Sequence, residues 1–227
     1  MLRYELITVK ILGLPGVDLD GTLWPVVKHR KSTSGYHHGD LRDALLAGAL
    51  KFIEQRGLED LSLRELARHL GVSSAAPYHH FANRTDLLGA LALHGFEQFE
   101  IRMREERDRA GKNPLDRLRA LGRVYLQFAA DHPAYFRLMF RRDWAAEPYA
   151  LPGSKAFAVL RETVIECLDH AGRGGEDPTP STLAMWGGVH GIAAICLDGP
   201  LTDLGGPDKI DALCERALGV LVHALKP

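Results

Sequence analysis

From Asp40 to the end of the chain, apolar residues recur every three or four positions, and no stretch alternates convincingly between apolar and polar residues as a half-buried strand does. This recurrence places apolar side chains along one face of a helix. The first stripe ends before Gly57 and consists of Leu41, Ala44, Leu45, Gly48, Phe52 and Ile53. The pattern predicts an all-α fold.

Capping residues and glycines divide this helical pattern into separate elements. Ser62-Leu63-Arg64-Glu65 has the sequence of a capping box, in which the serine and glutamate side chains each accept a hydrogen bond from a backbone N–H. Gly71 follows at a position that favours a left-handed backbone. A third helix is predicted to begin with Ser73 as its N-cap and to end near His80. Pro77 then costs only the first hydrogen bond of that helix.

The rest of the chain follows the same rules. Residues 83–86 predict a second capping box, Gly111 ends the helix that it opens, and Pro114 begins the next one. Residues 141–153, which include Trp144, are predicted to form a loop. The later helices are predicted at about residues 84–109, 114–131, 132–140, 155–171, 181–197 and 208–225.

Two short helices flanking Gly71-Val72-Ser73 have the layout of a helix-turn-helix motif. The second helix carries small residues on its first turn, namely Ser74, Ala75 and Ala76. Small side chains let a backbone approach the base edges in the major groove, and alanine methyl groups can contact thymine methyl groups. The motif therefore indicates DNA binding, although the formal net charge of the chain is only −1.

Four segments carry a family resemblance: the run 61–67, Gly71-Val72-Ser73, Tyr78-His79-His80-Phe81 and Arg84-Thr85-Asp86-Leu87-Leu88. Together they resemble the signature of the TetR family of bacterial transcription regulators. The resemblance covers about residues 38–90. It implies a homodimer that binds a double-stranded, palindromic DNA operator. In the family pattern Tyr78 and His79 touch the DNA backbone and Arg84 takes the place of a basic phosphate contact. The predicted DNA-binding residues are Ser62, Arg64, Ser73, Ser74, Ala75, Ala76, Tyr78, His79 and Arg84.

The family resemblance also implies a division of the chain. We predict a poorly ordered extension at 1–37, a DNA-binding domain at 38–82 and a helical regulatory and dimerisation domain at 83–227. His29, Arg30 and Lys31 in the extension could form an arm that reaches the minor groove. Residues 185–191 resemble the Trp…His-Gly element of one C-terminal subgroup of these regulators. A stripe of Gly187, Gly188, Gly191 and Ala194 is predicted to contribute to a dimer interface, or else to pack against the chain's own helices.

Aromatic and methionine side chains of the predicted regulatory domain predict a pocket for a small, mostly apolar ligand. Trp186 and His190 are one helical turn apart and would present a ring and a polar tip to the same space. The alternative is a solid core in which the rings touch only each other. The predicted ligand-binding residues are Phe99, Met103, Tyr125, Phe128, Phe136, Met139, Trp186 and His190.

Composition narrows the class of protein. Hydrophobic residues make up 46% of the 227 residues, which is enough for a sizeable core. Three cysteines without any CxxC spacing argue against a disulfide framework or a zinc site. No apolar run has the length of a membrane span, and the N-terminus does not resemble a signal peptide. We expect a cytoplasmic protein without a membrane partner.

Two alternatives to a ligand-responsive DNA-binding regulator are a phosphatase and a DNA-binding protein without a ligand. Asp18-Leu19-Asp20-Gly21-Thr22 resembles the nucleophile loop of haloacid-dehalogenase-type phosphatases, which would need a parallel sheet and Mg²⁺. The residues before Asp18 are interrupted by glycine and proline, and no later strands supply a sheet. We therefore predict a protein that is not an enzyme, with no catalytic residue, metal or cofactor. The second alternative is a constitutive DNA-binding protein that has no ligand.

Overall fold

The computed structural model describes residues 38–141, 153–198 and 207–226. Within these ranges the chain forms eight α-helices and one 3₁₀ helix and contains no strand, so the predicted all-α class is confirmed. In chain order the elements are α1 (His38–Arg56), α2 (Leu63–Leu70), a 3₁₀ helix (Ala76–His79), α3 (Arg84–Arg109), α4 (Pro114–Asp131), α5 (Pro133–Met139), α6 (Gly153–His170), α7 (Pro178–Asp198) and α8 (Pro207–His223).

Local signals set most helix ends where the sequence predicts them. Gly111 has a left-handed backbone (φ 89°) just beyond α3. Asn113 then caps α4, because its side-chain oxygen accepts a hydrogen bond from the Leu115 N–H at 3.0 Å. Helix α7 begins three residues before the predicted Ser181. Two prolines fit in its first turn, where a missing N–H leaves no hydrogen bond unmade.

The described residues divide into two compact units, of which one comprises residues 38–93 and 137–141. Its described core is built where α1 packs on α2 and α2 packs on the 3₁₀ helix. Each large side chain buried there stabilises the fold by roughly 1.5–3 kcal/mol. The core includes Leu45, Phe52, Leu61, Leu66, Phe81 and Leu87, all of them almost completely buried.

The other unit comprises residues 94–136, 153–198 and 207–226. Helix α4 lies at its centre and packs against α6, α7 and α8. Two ion pairs flank this packing: Arg117 contacts Glu166 of α6 at 2.9 Å, and Arg123 contacts Glu215 of α8 at 2.6 Å. Helix α3 belongs to both units, with residues 84–93 in one and 94–109 in the other.

Several sequence features lie outside the described residues. They are the extension at 1–37 with Asp18, Asp20 and the basic run at 29–31, and the segment around Trp144. Of the described helices, α7 alone is long and apolar enough to cross a membrane by length and composition. Helices that form the core of soluble proteins share this property, and Met185, Val189 and Ala193 of α7 are buried.

Candidate DNA-binding surface and aromatic cluster

Helix α2 begins with the serine cap that the sequence predicts. Ser62 has an extended backbone (φ −135°, ψ 160°), and its hydroxyl accepts a hydrogen bond from the Glu65 N–H at 3.1 Å. The second half of the predicted capping box is wrong, because the Glu65 carboxylate pairs with Arg68 one turn later. Arg64, on the first turn of the helix, is exposed.

Gly71 makes the turn that follows α2. Its backbone is left-handed (φ 66°, ψ 26°), a conformation that residues with a side chain rarely adopt. The Val72 N–H, one residue later, donates to the carbonyl of Ala67 at 3.0 Å and so ties the turn to the end of the helix. The predicted glycine cap is thus confirmed.

The third element is shorter than predicted. Instead of an α-helix with Ser73 as its N-cap, the chain makes a turn at Ser73 and then a 3₁₀ helix at Ala76–His79. An α-helix beginning at Ser73 would need an N–H at position 77, which proline lacks. The Ser73 carbonyl accepts from Ala76 instead, at 3.0 Å, which is the spacing of a 3₁₀ turn.

This turn and the 3₁₀ helix present a run of exposed side chains that we call the 73–79 surface. Ser73, Ser74, Ala75 and His79 are exposed, half of the Tyr78 side chain is exposed, and Ala76 is half-buried. Pro77 and Phe81, by contrast, are buried. Six of the nine residues that the sequence assigns to DNA contacts therefore lie within seven positions of the chain, and all of them except the half-buried Ala76 are exposed.

Arg84 makes contacts that the sequence does not predict. Its Nε donates to the carbonyl of Leu61 at 2.8 Å, and its Nη2 donates to the carbonyl of Leu58 at 2.8 Å. Both acceptors lie in the segment between α1 and α2. The guanidinium therefore fastens the first turn of α3 to the start of the helix-turn-helix region, and its phosphate contact stays a prediction.

Four of the predicted ligand-binding side chains form an aromatic cluster in the α4-centred unit. Phe99 of α3 lies 5.4 Å from Tyr125 and 5.3 Å from Phe128, between ring centroids, and Tyr125 lies 5.5 Å from Phe136. All four are buried, as is Met103. Such offset and edge contacts add about 0.5–1.5 kcal/mol per pair beyond burial.

A polar pair lies inside this cluster. The Tyr125 hydroxyl lies 2.7 Å from Nδ1 of His190, and the Phe136 ring stacks on the imidazole at 5.6 Å. Burial raises the pKa of Tyr125 far above its ordinary value, and burial lowers the pKa of His190. The phenol therefore keeps its proton, and one hydrogen bond joins it to the imidazole, whose tautomer sets the direction of that bond.

The remaining predicted ligand residues are distributed as follows. The half-buried Trp186 lies 6.4 Å from His190 and 5.8 Å from Phe157, between ring centroids. The sequence does not predict that Phe157 lies beside Trp186, because this contact depends on how α6 packs against α7 and not on the local spacing of residues. Met139 is buried, but it belongs to the unit of residues 38–93 and 137–141.

Helices α7 and α8 expose an apolar surface. An ideal Cβ on Gly188 would lie 2.5 Å from Leu221 of α8, so this glycine lets the chain's own helices approach. Nothing lies within 4 Å of such an atom on Gly187 or Gly191. The predicted glycine stripe is therefore divided: Gly188 packs against the chain's own α8, whereas the space beside Gly187 and Gly191 is open. Four apolar side chains of these helices are exposed, and together we call them the α7–α8 surface: Leu183 (57%), Ile195 (50%), Leu213 (40%) and Val220 (73%).

Comparison with known families agrees with this arrangement. A family model described as bacterial regulatory proteins, tetR family, matches residues 45–91, which include α2, the 3₁₀ helix and Arg84. A second, described as tetracyclin repressor-like, C-terminal domain, matches residues 118–221, which include most of α4 to α8. The two matches are in the order that the family resemblance implies. The Trp…His-Gly subgroup stays a prediction.

Individual relatives point in the same direction. An uncharacterized HTH-type transcriptional regulator of Mycobacterium tuberculosis is 24% identical over 163 residues, which are 72% of this chain and 73% of that protein. The structure of a protein of unknown function from Rhodococcus sp. RHA1 is 32% identical, with a TM-score of 0.73, and the match covers 86% of this chain and 100% of that one.

A further similar structure is that of FadR from Bacillus subtilis, a transcriptional regulator in complex with stearoyl-CoA. It is 18% identical, with a TM-score of 0.62, and the match covers 81% of this chain and 97% of that one. At this identity the likeness is one of fold.

The helix-turn-helix region, with its capped α2, its left-handed Gly71 and its exposed 73–79 surface, agrees with the two family models. The two family models show that the chain belongs to the TetR family and is a DNA-binding transcriptional regulator.

Proposed function

We propose that this chain is a ligand-responsive repressor that binds a near-palindromic operator as a homodimer. The observation that carries the proposal is the 73–79 surface, where small and polar side chains are exposed while Pro77 and Phe81 are buried beneath them. An exposed segment with small side chains can approach the base edges in the major groove of DNA.

The proposed contacts divide into two kinds. Ser73, Ser74, Ala75 and Ala76 approach base edges and carry the sequence preference. The others contact the sugar-phosphate backbone and position the protein without reading sequence. This second group consists of Ser62, Arg64, Tyr78, His79 and Arg84. The first turn of α2 supports the assignment of Ser62 and Arg64, because N–H groups at a helix N-terminus favour a phosphate.

Dimerisation is proposed through the α7–α8 surface. Val220 and Leu183 are more than half exposed in the single chain, and burying them against a second copy would remove apolar area from water. A two-fold symmetric dimer carries two copies of the 73–79 surface, and the two half-sites that such dimers bind lie about 34–36 Å apart or multiples of that distance.

The proposed ligand is small and mostly apolar, and the aromatic cluster would receive it. The rings supply an apolar lining, and the Tyr125–His190 pair supplies a polar group inside it. Helix α3 runs without a break from Arg84 to Phe99 and beyond, so a shift of the cluster can reach the DNA-binding region along one helix. A ligand that binds one orientation of this helix better than the other would shift the population of the binding-competent state.

Selection of DNA from a random pool by the full chain tests the proposal. We expect enrichment of two inverted half-sites, and the protein–DNA complex should contain an even number of chains. Enrichment of a single, unrepeated motif would contradict the dimeric mode of binding.

The sensing part is tested separately, by thermal shift and by release of the selected DNA, with stearoyl-CoA as the first probe because a structurally similar regulator binds it. A library of small apolar compounds follows. If no compound raises the melting temperature, the chain is better explained as a constitutive regulator that has no ligand. That result would not affect the conclusion that the chain binds DNA.

A further inference from the structure

Two of the three cysteines lie side by side, although eighteen positions separate them in the sequence. Cys196 is near the end of α7 and Cys214 is in the middle of α8, and their Sγ atoms are 3.4 Å apart. At this distance one thiol donates a hydrogen bond to the other sulfur. The sulfurs would have to move only about 1.4 Å closer to reach the length of a disulfide bond.

The two thiols differ in exposure and in acidity. Cys196 is partly exposed, whereas Cys214 is buried. The hydrogen bond from Cys214 lowers the pKa of Cys196, and the same hydrogen bond raises the pKa of Cys214. The carboxylate of Asp211 acts against ionisation of both thiols. Cys196 is therefore the thiol that ionises first, and it is also the one that a solvent-borne reagent can reach.

Cys167 provides a contrast within the same unit. It is completely buried in α6, and burial raises its pKa to about 12. A thiol of this kind is inert toward oxidants, because the thiolate is the reactive form. The partly exposed Cys196 with a second thiol in contact has instead the two features of a redox-sensing cysteine, which are an accessible thiolate and a neighbouring resolving cysteine.

We propose that Cys196 and Cys214 form a reversible disulfide in response to peroxides. The Cys196 thiolate attacks one oxygen of the peroxide; an S–O bond forms, the O–O bond breaks, and the leaving hydroxide takes up a proton to become water. Cys196 is oxidised by two electrons to a sulfenic acid, and the peroxide is reduced. The Cys214 sulfur then attacks the Cys196 sulfur, the S–S bond forms, the S–O bond breaks, and the hydroxide leaves as water with the Cys214 proton.

The disulfide would connect α7 to α8 directly, and a dithiol reductant would restore both thiols. In the reduced protein these helices are in contact through Gly188 and Leu221, more than one helical turn away. The covalent link would hold the two helices together at Cys196 as well. A disulfide in a cytosolic protein is more often such a regulated bond than a permanent one.

The experiment treats the full chain with a small molar excess of hydrogen peroxide under native conditions. We expect two of the three thiols to disappear, the intact mass of the chain to fall by about 2 Da as two hydrogen atoms are lost, and proteolysis to yield one peptide pair joined through Cys196 and Cys214. Dithiothreitol should restore the original mass and all three thiols.

Two variants sharpen the test. In Cys214→Ser the sulfenic acid on Cys196 has no resolving thiol, so dimedone should label Cys196 in this variant and not in the peroxide-treated native chain. Cys167→Ser should form the disulfide as the native chain does. Three results would each overturn the proposal: retention of all three thiols after peroxide treatment, a disulfide that includes Cys167, or a disulfide between two chains.

Discussion

The Arg84 guanidinium fastens the start of α3 to the carbonyl of Leu61, with a distance of 2.8 Å between Nε and the oxygen. A second bond, to Leu58, uses Nη2. We therefore predict that Arg84→Ala lowers the free energy of unfolding by about 1–3 kcal/mol, because two carbonyls lose a charged donor. The measurement is urea unfolding. The exposed Arg64→Ala is the matched control and should change stability by less than about 0.5 kcal/mol.

The same variant separates the two roles of Arg84. If the side chain also contacts a phosphate, Arg84→Ala should weaken all DNA sites alike and reduce the salt dependence of binding by about one counterion. If Arg84→Ala reduces stability but does not change the salt dependence of DNA binding, Arg84 stabilises the fold and does not contact a phosphate.

A second prediction concerns the dimer. If the proposed dimer forms through this surface, Val220→Asp should give a monomer with little change in secondary structure, because Val220 is 73% exposed in the single chain. Light scattering after size-exclusion chromatography measures this, and Gly187→Arg should behave in the same way. Gly188→Arg should instead lower the melting temperature, since its side chain would collide with Leu221. A Val220→Asp variant that remains fully dimeric would rule out this surface.

The third prediction is a pH dependence. Burial lowers the pKa of His190 in the folded chain, so the unfolded chain, with a histidine pKa of about 6.5, binds a proton first. The contribution of His190 is therefore complete above pH about 6.5 and is lost as the pH falls through the lower folded pKa. Between pH 7.5 and 5.5 the native chain should lose more stability than His190→Gln does. Equal losses in denaturant unfolding would contradict the assignment.

A fourth prediction addresses sensing. Trp186 contacts both Phe157 and His190, at the edge of the aromatic cluster. Trp186→Ala should keep operator affinity and lose the effect of any compound that raises the melting temperature of the native chain. The paired measurement is a gel shift and a thermal shift on the same preparation. Loss of operator affinity without any ligand would show that Trp186 serves the fold and not the response.

Features determined by neighbouring residues could be predicted from the sequence. The Ser62 and Asn113 caps, the left-handed Gly71 and Gly111, and the bounds of α3 and α4 each depend on a few adjacent positions. The 3₁₀ helix could have been predicted as well, because Pro77 removes the very N–H that an α-helix beginning at Ser73 would need.

Other features depend on which helix packs against which. The contact of Cys196 with Cys214, the approach of Leu221 to Gly188 and the reach of Arg84 to Leu58 join positions that are 18 to 33 residues apart. No periodicity in the sequence specifies those pairings, since each needs the crossing and rotation of two helices. The same reason explains why Phe157 was not counted with the aromatic cluster.

The most direct test of the central claim is the binding of Ala75→Glu to the DNA selected by the native chain. Ala75 is exposed, whereas Ala76 is half-buried, so glutamate at 75 changes the 73–79 surface with least effect on the fold. The account predicts an unchanged melting temperature and a loss of DNA affinity of at least a hundredfold, or about 2.7 kcal/mol. Gln55→Glu, which adds the same charge on α1, should bind normally. A folded Ala75→Glu protein that binds as tightly as the native chain would contradict the account.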